Sequence, residues 1–173
     1  MPRHVYYYEL LATPFGEAAT ALAGDPRHWL PEPAEPSSEA WLVDLRADGA
    51  LPRSLARRRG IVRVGPVPER SLPIANGQAT TNGQGGAGLL RPVRWEAADT
   101  SEVFPVLSAD LELAALQGGG CQLSLMGTYR PPLSVVGETT DRLLGHRVAE
   151  ATVRRFVLDV AARLARNDVA ANR

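Results

Sequence analysis

Two long stretches of the chain alternate between apolar and polar residues, as strands with one buried face do. The first lies in "VLSADLELAAL", where every second residue from Leu107 to Ala115 is apolar. The second is "CQLSLMGTY", where every second residue from Cys121 to Tyr129 lies on the inward face. The "QGGG" between them supplies glycines, which adopt positive φ freely. The pattern therefore predicts a β-hairpin.

Four further stretches are typical of strands because they are rich in β-branched and aromatic residues or alternate in polarity. In "RPVRWEAAD", Val93, Trp95 and Ala97 share one face. The others are residues 4–11, "AWLVDLRAD", and residues from about 59 to 65. One apolar and one polar face predict an antiparallel sheet that is covered on one side only.

The end of the chain predicts a long amphipathic helix, from about Asp141 to Asn167, capped by Thr139 or Thr140. All 14 prolines lie at or before Pro132, so nothing in this block breaks a helix. At about 1.5 Å per residue the helix is roughly 40 Å long and crosses the whole sheet. The apolar stripe comprises Ala149, Val153, Phe156, Val157, Val160, Ala161 and Leu164.

Two short helices are predicted between the first two strands. In "TPFGEAATALAG", Thr13 can cap a helix, Pro14 fits its first position and Gly24 fits its exit. "DPRHWLP" predicts one more helical turn, followed by a Pro-rich loop, "PEPAEPSS". The order of strands and helices indicates an α+β fold in a single domain spanning residues 1–173. Within it, residues 75–88 are predicted to be a flexible loop and residues 168–173 a disordered tail.

Composition narrows the functions that fit the chain. Its 173 residues carry 19 basic and 19 acidic side chains, a net charge of zero, so no global field attracts nucleic acid. The single cysteine, Cys121, excludes an internal disulfide framework. No signal peptide and no membrane span is expected, which favours the cytoplasm. The absence of lysine, with abundant Ala, Gly and Pro, points to a GC-rich, bacterial coding genome.

The order and several segments resemble the START-like, polyketide-cyclase-like (SRPBCC) superfamily. "TPFGEAATALAGDPRHWLP" is similar to the segment that follows its first strand. "FPVLSADLELAAL", "LSLMGTYRPPLSVVG" and "HRVAEATVRRFVLDVA" resemble its last hairpin and final helix. The resemblance implies a helix-grip fold: a curved antiparallel sheet of about six to seven strands wrapped around the C-terminal helix. It further implies an apolar cavity between sheet and helix, and it carries over no catalytic residue.

Candidate chemistry is sparse, and no catalytic residue, metal site or cofactor is predicted. His4, His28 and His146 are too scattered for a metal motif, and no paired cysteines exist. Ser108 and Asp110 lie on the polar strand face, which favours solvation over a catalytic role. Glu9 and His146 are the candidate polar groups of the cavity.

The leading hypothesis is a protein that binds a small hydrophobic ligand, lipid-, sterol- or polyketide-like, beneath the helix. Two alternatives stay open: a polyketide cyclase- or dehydratase-like enzyme, and an interaction module that forms a homodimer or docks through the sheet edge or through "RSLARRRG". The expected ligand-lining residues are the large apolar ones on inward positions of the sheet and helix. They are Trp95, Leu111, Leu113, Leu123, Leu125, Tyr129, Val153 and Phe156.

Overall fold

A computed structural model of the chain describes residues 3–31, 34–37, 40–46, 57–68, 88–98, 106–130 and 139–171. Seven strands and two α-helices follow one another in these ranges, with a 3-10 turn, Pro26–His28, after the first helix. The elements are β1 (Arg3–Leu11), α1 (Phe15–Ala23), β2 (Ala34–Ser37), β3 (Ala40–Arg46), β4 (Arg57–Val64), β5 (Gly88–Ala97), β6 (Val106–Ala115), β7 (Cys121–Arg130) and α2 (Thr139–Ala171).

All seven strands form one antiparallel sheet in the order β1-β7-β6-β5-β4-β3-β2. Strands that follow one another from β2 to β7 are neighbours, and β1 pairs with β7 at the far edge. The predicted β6–β7 hairpin is confirmed. Its turn uses the glycines as expected, since Gly118, Gly119 and Gly120 have φ of 93°, 100° and 77°, values that side chains rarely tolerate.

The sheet curls around α2. This helix contacts β1 and β7 at one edge and β3 near the other. Five strand intervals separate β1 from β3, about 24 Å in a flat sheet at ~4.8 Å per interval. A helix is only about 10–12 Å across with its side chains, so it can touch both strands only if the sheet is strongly curved. The chain therefore has the helix-grip arrangement that the sequence predicted, with α1 covering parts of β5 and β6.

Gly127 allows two central strands to come unusually close. A Cβ atom built at this position would lie 2.5 Å from the Ser108 carbonyl oxygen and 2.6 Å from Ala109 Cα, and would overlap Ala109 Cβ. Ordinary cross-strand Cβ atoms are about 4.5–5.5 Å apart. The missing side chain thus permits this close approach, and glycine is one of the residues by which curvature is introduced into sheets.

The core lies between the concave face of the sheet and the two helices. Trp95 on β5 and Phe156 on α2 are both buried, and their rings meet edge to face with centroids 5.0 Å apart. This geometry is favourable for aromatic pairs beyond the area they bury. The predicted apolar stripe of α2 is buried along its length, from Ala149 to Leu164, so the helix packs through the side that the periodicity indicated.

Several local predictions were wrong. Thr13 does not cap α1; Pro14 occupies the N-cap without a side-chain hydrogen bond, while Thr13 is buried and its carbonyl oxygen accepts from Cys121 Sγ at 3.4 Å. The Pro-rich segment is not entirely a loop, because it contains β2. This strand tolerates Pro36 because it is the edge of the sheet, where a missing amide donor costs little.

The helix α2 is longer than predicted. Its 33 residues, about 50 Å at ~1.5 Å per residue, include residues 168–171, which were expected in the disordered tail. Gly88, expected in the flexible loop, instead opens β5. The rest of that loop, residues 75–87, and the last two residues lie outside the described ranges. Within those ranges, no helix is both long and apolar enough to cross a membrane.

We predict that Gly127→Ala lowers the free energy of unfolding by about 1–3 kcal/mol, because the added methyl group overpacks the β6–β7 contact. Gly88→Ala is the matched control, since a Cβ there would meet only the Leu113 carbonyl oxygen at 3.7 Å. We expect its effect to stay within about 1 kcal/mol. Urea denaturation followed by tryptophan fluorescence measures both, and equal effects of the two substitutions would contradict this role for Gly127.

Phe156→Ala is expected to cost about 3–5 kcal/mol of stability, since it leaves a cavity against Trp95 beneath α2. The control is Arg154→Ala, at an exposed position of the same helix, which should change stability by no more than about 0.5 kcal/mol. The same denaturation assay applies. A loss below about 1 kcal/mol for Phe156→Ala would show that this ring contact does not hold the helix in place.

Candidate functional site

Small residues occupy the middle of the concave face. Direct cross-strand partners place Val5, Gly127, Ala109, Val93 and Val64 side by side across five strands; we call this set the central row. In this row, Gly127 has no side chain and Ala109 has a single methyl group. Larger residues stand on either side along the same strands, so the central row is the lowest part of the surface that faces α2.

A cavity of about 870 Å³ opens over the central row. Four of its five members line the cavity, together with Pro26, Trp41 and Arg91. The remaining lining residues are next to these along the chain: Arg63, Gly65, Pro66, Pro92, Arg94, Ser108, Asp110, Met126 and Thr128. Seven of them, all but Gly65 and Pro66, occupy the alternate strand positions, and no described side chain of α2 lines the cavity. Small-molecule sites typically occupy about 300–1,000 Å³, so the cavity is large enough for a ligand.

One side of the cavity is formed by the turn after α1 and the strand β3. Asp25 caps the 3-10 turn by accepting a hydrogen bond from the Arg27 backbone amide at 2.9 Å. The turn places Pro26 in the cavity wall, and the Arg27 guanidinium lies 5.6 Å from the centre of the Trp41 ring. A cation at this distance from a tryptophan ring is attracted to its face, and this contact ties the turn to β3.

Arg91 supplies a positive charge at the cavity. It lies on the inward face of β5, paired across the sheet with Leu111, and only 9% of its surface is exposed. Its Nη1 donates to the Ala23 carbonyl oxygen at 3.2 Å, at the end of α1, whereas its Nε is buried and has no acceptor. Burial lowers the pKa of this guanidinium, and no carboxylate among the described residues opposes the shift.

The eight predicted lining residues are all buried, and none of them lines this cavity. Six lie on the sheet and flank the central row: Trp95 and Tyr129 on one side, and Leu111, Leu125, Leu113 and Leu123 on the other. Val153 and Phe156 cover the sheet from α2. The structure therefore brings the eight together as packed core around the cavity, and ligand contact by any of them stays a prediction.

Two members of this group carry polar atoms. Trp95 Nε1 is buried without an acceptor, which leaves an unused donor below α2. Burial raises the pKa of the Tyr129 hydroxyl, and a hydrogen bond from Arg3 partly offsets this. The Tyr129 phenol thus stays protonated near neutral pH.

The buried Cys121 thiol also has a raised pKa because of burial, so its thiolate is not available for chemistry near pH 7.

The predicted polar groups lie elsewhere or are not described. Glu9 is on the concave face, opposite Leu123, and is half-buried, but it does not line the cavity. The His146 side chain lies outside the described residues, as does most of "RSLARRRG". His4 and His28 are exposed. Among the residues that the structure describes, no three His, Cys, Asp or Glu side chains cluster to hold a metal ion.

Sequence reasoning missed the residues that form the cavity because it looked for large apolar side chains. Large side chains fill space, whereas Ala109 and Gly127 leave it empty. A signal was present, since both are small residues at inward positions of neighbouring strands. Arg91 was missed because it precedes Pro92 at what seemed the start of a strand; β5 in fact begins at Gly88.

Sequence comparison finds no protein family that matches the chain. It finds no match among curated proteins either. Its relationships are therefore visible only in the fold.

Solved structures share this fold over nearly the whole chain. The Zhui aromatase/cyclase from Streptomyces sp. R1128 superposes with a TM-score of 0.53 at 15% identity, covering 100% of this chain and 97% of that one. A conserved protein from Geobacillus kaustophilus gives a TM-score of 0.50 at 12% identity, covering 95% and 96% of the two chains. At such identities the similarity concerns the fold alone. The chain shares the helix-grip fold with these structures, which is the fold that the sequence resemblance implied.

Proposed function

We propose that this protein binds a small hydrophobic molecule in the cavity over the central row. The observation that carries the proposal is the cavity itself, which is lined by Ala109 and Gly127, where the sheet lacks large side chains. Val64, Val93 and Trp41 give it apolar walls. A ligand that buries about 300 Å² of apolar surface there gains roughly 7 kcal/mol at ~25 cal/mol per Å², before the costs of association.

Acid–base catalysis on a bound substrate fits the described lining less well. The ionisable residues that line the cavity are Arg63, Arg91, Arg94 and Asp110. Of these, Arg91 alone points to the concave side, since the other three occupy alternate positions on their strands. A guanidinium stays protonated near neutral pH and transfers no proton. The described lining therefore supports binding in preference to a cyclase- or dehydratase-like reaction.

Among the described residues, one exposed apolar surface is a candidate for the predicted self-association. Tyr6, Tyr8 and Leu10 on the edge strand β1 and Met126 on β7 are half or more exposed on the convex face, where Tyr6 lies opposite Met126. We call these four residues the convex strip. The described residues do not show what covers it, so the homodimer stays a prediction. The convex strip is also a second surface to which apolar probes can bind.

We predict that Ala109→Leu weakens binding of the methyl ester of 11-(dansylamino)undecanoic acid about tenfold or more, because the larger side chain fills the bottom of the cavity. The measurement is fluorescence titration of the purified protein. Thermal denaturation of the variant confirms that it is folded.

The matched control is Ala114→Leu, which makes the same change on the same strand at a position that faces away from α2. Its affinity for the ester should equal that of the unaltered protein. Equal weakening by both substitutions, or by neither, would place the bound ester outside the cavity. No binding of the ester at all by the unaltered protein would refute the proposed function.

A further inference from the structure

Arg91 is a buried cation with an incomplete set of partners. The guanidinium has five N–H groups, and the structure uses one nitrogen, Nη1, to bind the carbonyl oxygen at the end of α1. No carboxylate pairs with Arg91 among the described residues, and its Nε has no acceptor. Burying a charge is costly unless it is paired, so its position at the cavity needs an explanation beyond packing.

Anchoring of α1 explains only part of this arrangement. A cation beside the last carbonyl groups of a helix is favourable, but the effect is modest and needs one hydrogen bond. A neutral glutamine could donate the same bond. Arg91 lines the cavity, lies between Leu89 and Val93 on the inward face of β5, and has further donors on Nη1 and Nη2. An occupant of the cavity is therefore the natural partner for them.

We infer that the ligand is an anionic amphiphile, an apolar molecule with a carboxylate group that pairs with Arg91 while its apolar part covers the central row. The inference rests on the proposed function and narrows it to one class of ligand. A carboxylate matches the planar fork of a guanidinium and can accept two parallel hydrogen bonds. It would also supply the missing negative charge.

The test compares two fluorescent probes that differ only in charge: 11-(dansylamino)undecanoic acid and its methyl ester. The unaltered protein should bind the acid about tenfold more tightly than the ester, as expected for a charge-assisted hydrogen-bonded pair. Arg91→Gln should abolish this preference by weakening the acid about tenfold while leaving the ester unchanged. Arg91→Lys keeps the charge and should retain part of the preference.

Arg154→Gln is the control for net charge, because it removes the same charge from an exposed position on α2 outside the cavity. It should leave the preference for the acid intact. Equal affinities of the two probes for the unaltered protein would overturn the inference and leave the proposed function standing. An Arg91→Gln variant that loses affinity for both probes alike would also overturn the inference and leave the proposed function standing. Failure of both probes to bind the unaltered protein would overturn the proposed function and the inference with it.

A second measurement needs no substitution, in case Arg91→Gln does not fold. The carboxyl carbon of bound, ¹³C-labelled dodecanoate can be titrated by NMR in the pH range where the protein stays folded. Beside Arg91 the carboxyl pKa should lie below that of free dodecanoate, because a nearby cation favours the charged form. A raised pKa would mean that burial dominates without a cation, which would overturn the inference.

Discussion

The structure depends on the curvature of the sheet, because a flat seven-stranded sheet could not reach around a single helix from β1 to β3. Near the middle of the sheet, β6 and β7 approach more closely than side chains permit, and Gly127 removes the side chain at that point. The curved sheet contacts α2 from β1 to β3, and Phe156 of this helix is buried against Trp95.

The same local feature creates the space for a ligand. Gly127 and Ala109 are direct cross-strand partners with little or no side chain, and both line the cavity. Packing is dense elsewhere, with leucines on both sides of the central row fully buried. Fold and cavity are thus two consequences of one choice of small residues. Arg91 adds a buried charge at the rim, which is costly in an empty cavity and useful in an occupied one.

Periodicity predicted most of the fold. The alternation from Leu107 to Tyr129 located the hairpin, and the apolar stripe of α2 located the cover of the sheet, because burial of one face imposes a regular spacing. The ends of helices and the short edge strand were harder to predict. Thr13 was expected to cap α1, but its burial beside Cys121 is a tertiary contact that local sequence does not reveal. Likewise, Pro36 indicated a loop because sequence alone does not show which strand lies at an edge.

The residues that line the cavity were not predicted from the sequence. The composition of the cavity depends on cross-strand register, which brings Gly127, Ala109 and Val93 together from three separate strands. Hydrophobicity alone favoured the large residues, which fill the core around the cavity. Hydrophobicity could not identify Arg91 either, because a lone arginine on a strand usually faces solvent. Its burial depends on the packing of α1 against β5 and β6, which the sequence does not show.

The central claim is that an apolar molecule binds in the cavity at the central row. Chemical-shift mapping by two-dimensional ¹H–¹⁵N NMR, with the dansyl ester added stepwise, tests this most directly. The account predicts that the backbone amides of Val64, Val93, Ala109 and Gly127 shift together as one saturable site. Shifts confined to Tyr6, Tyr8 and Leu10 of the convex strip, with the central row unchanged, would contradict it.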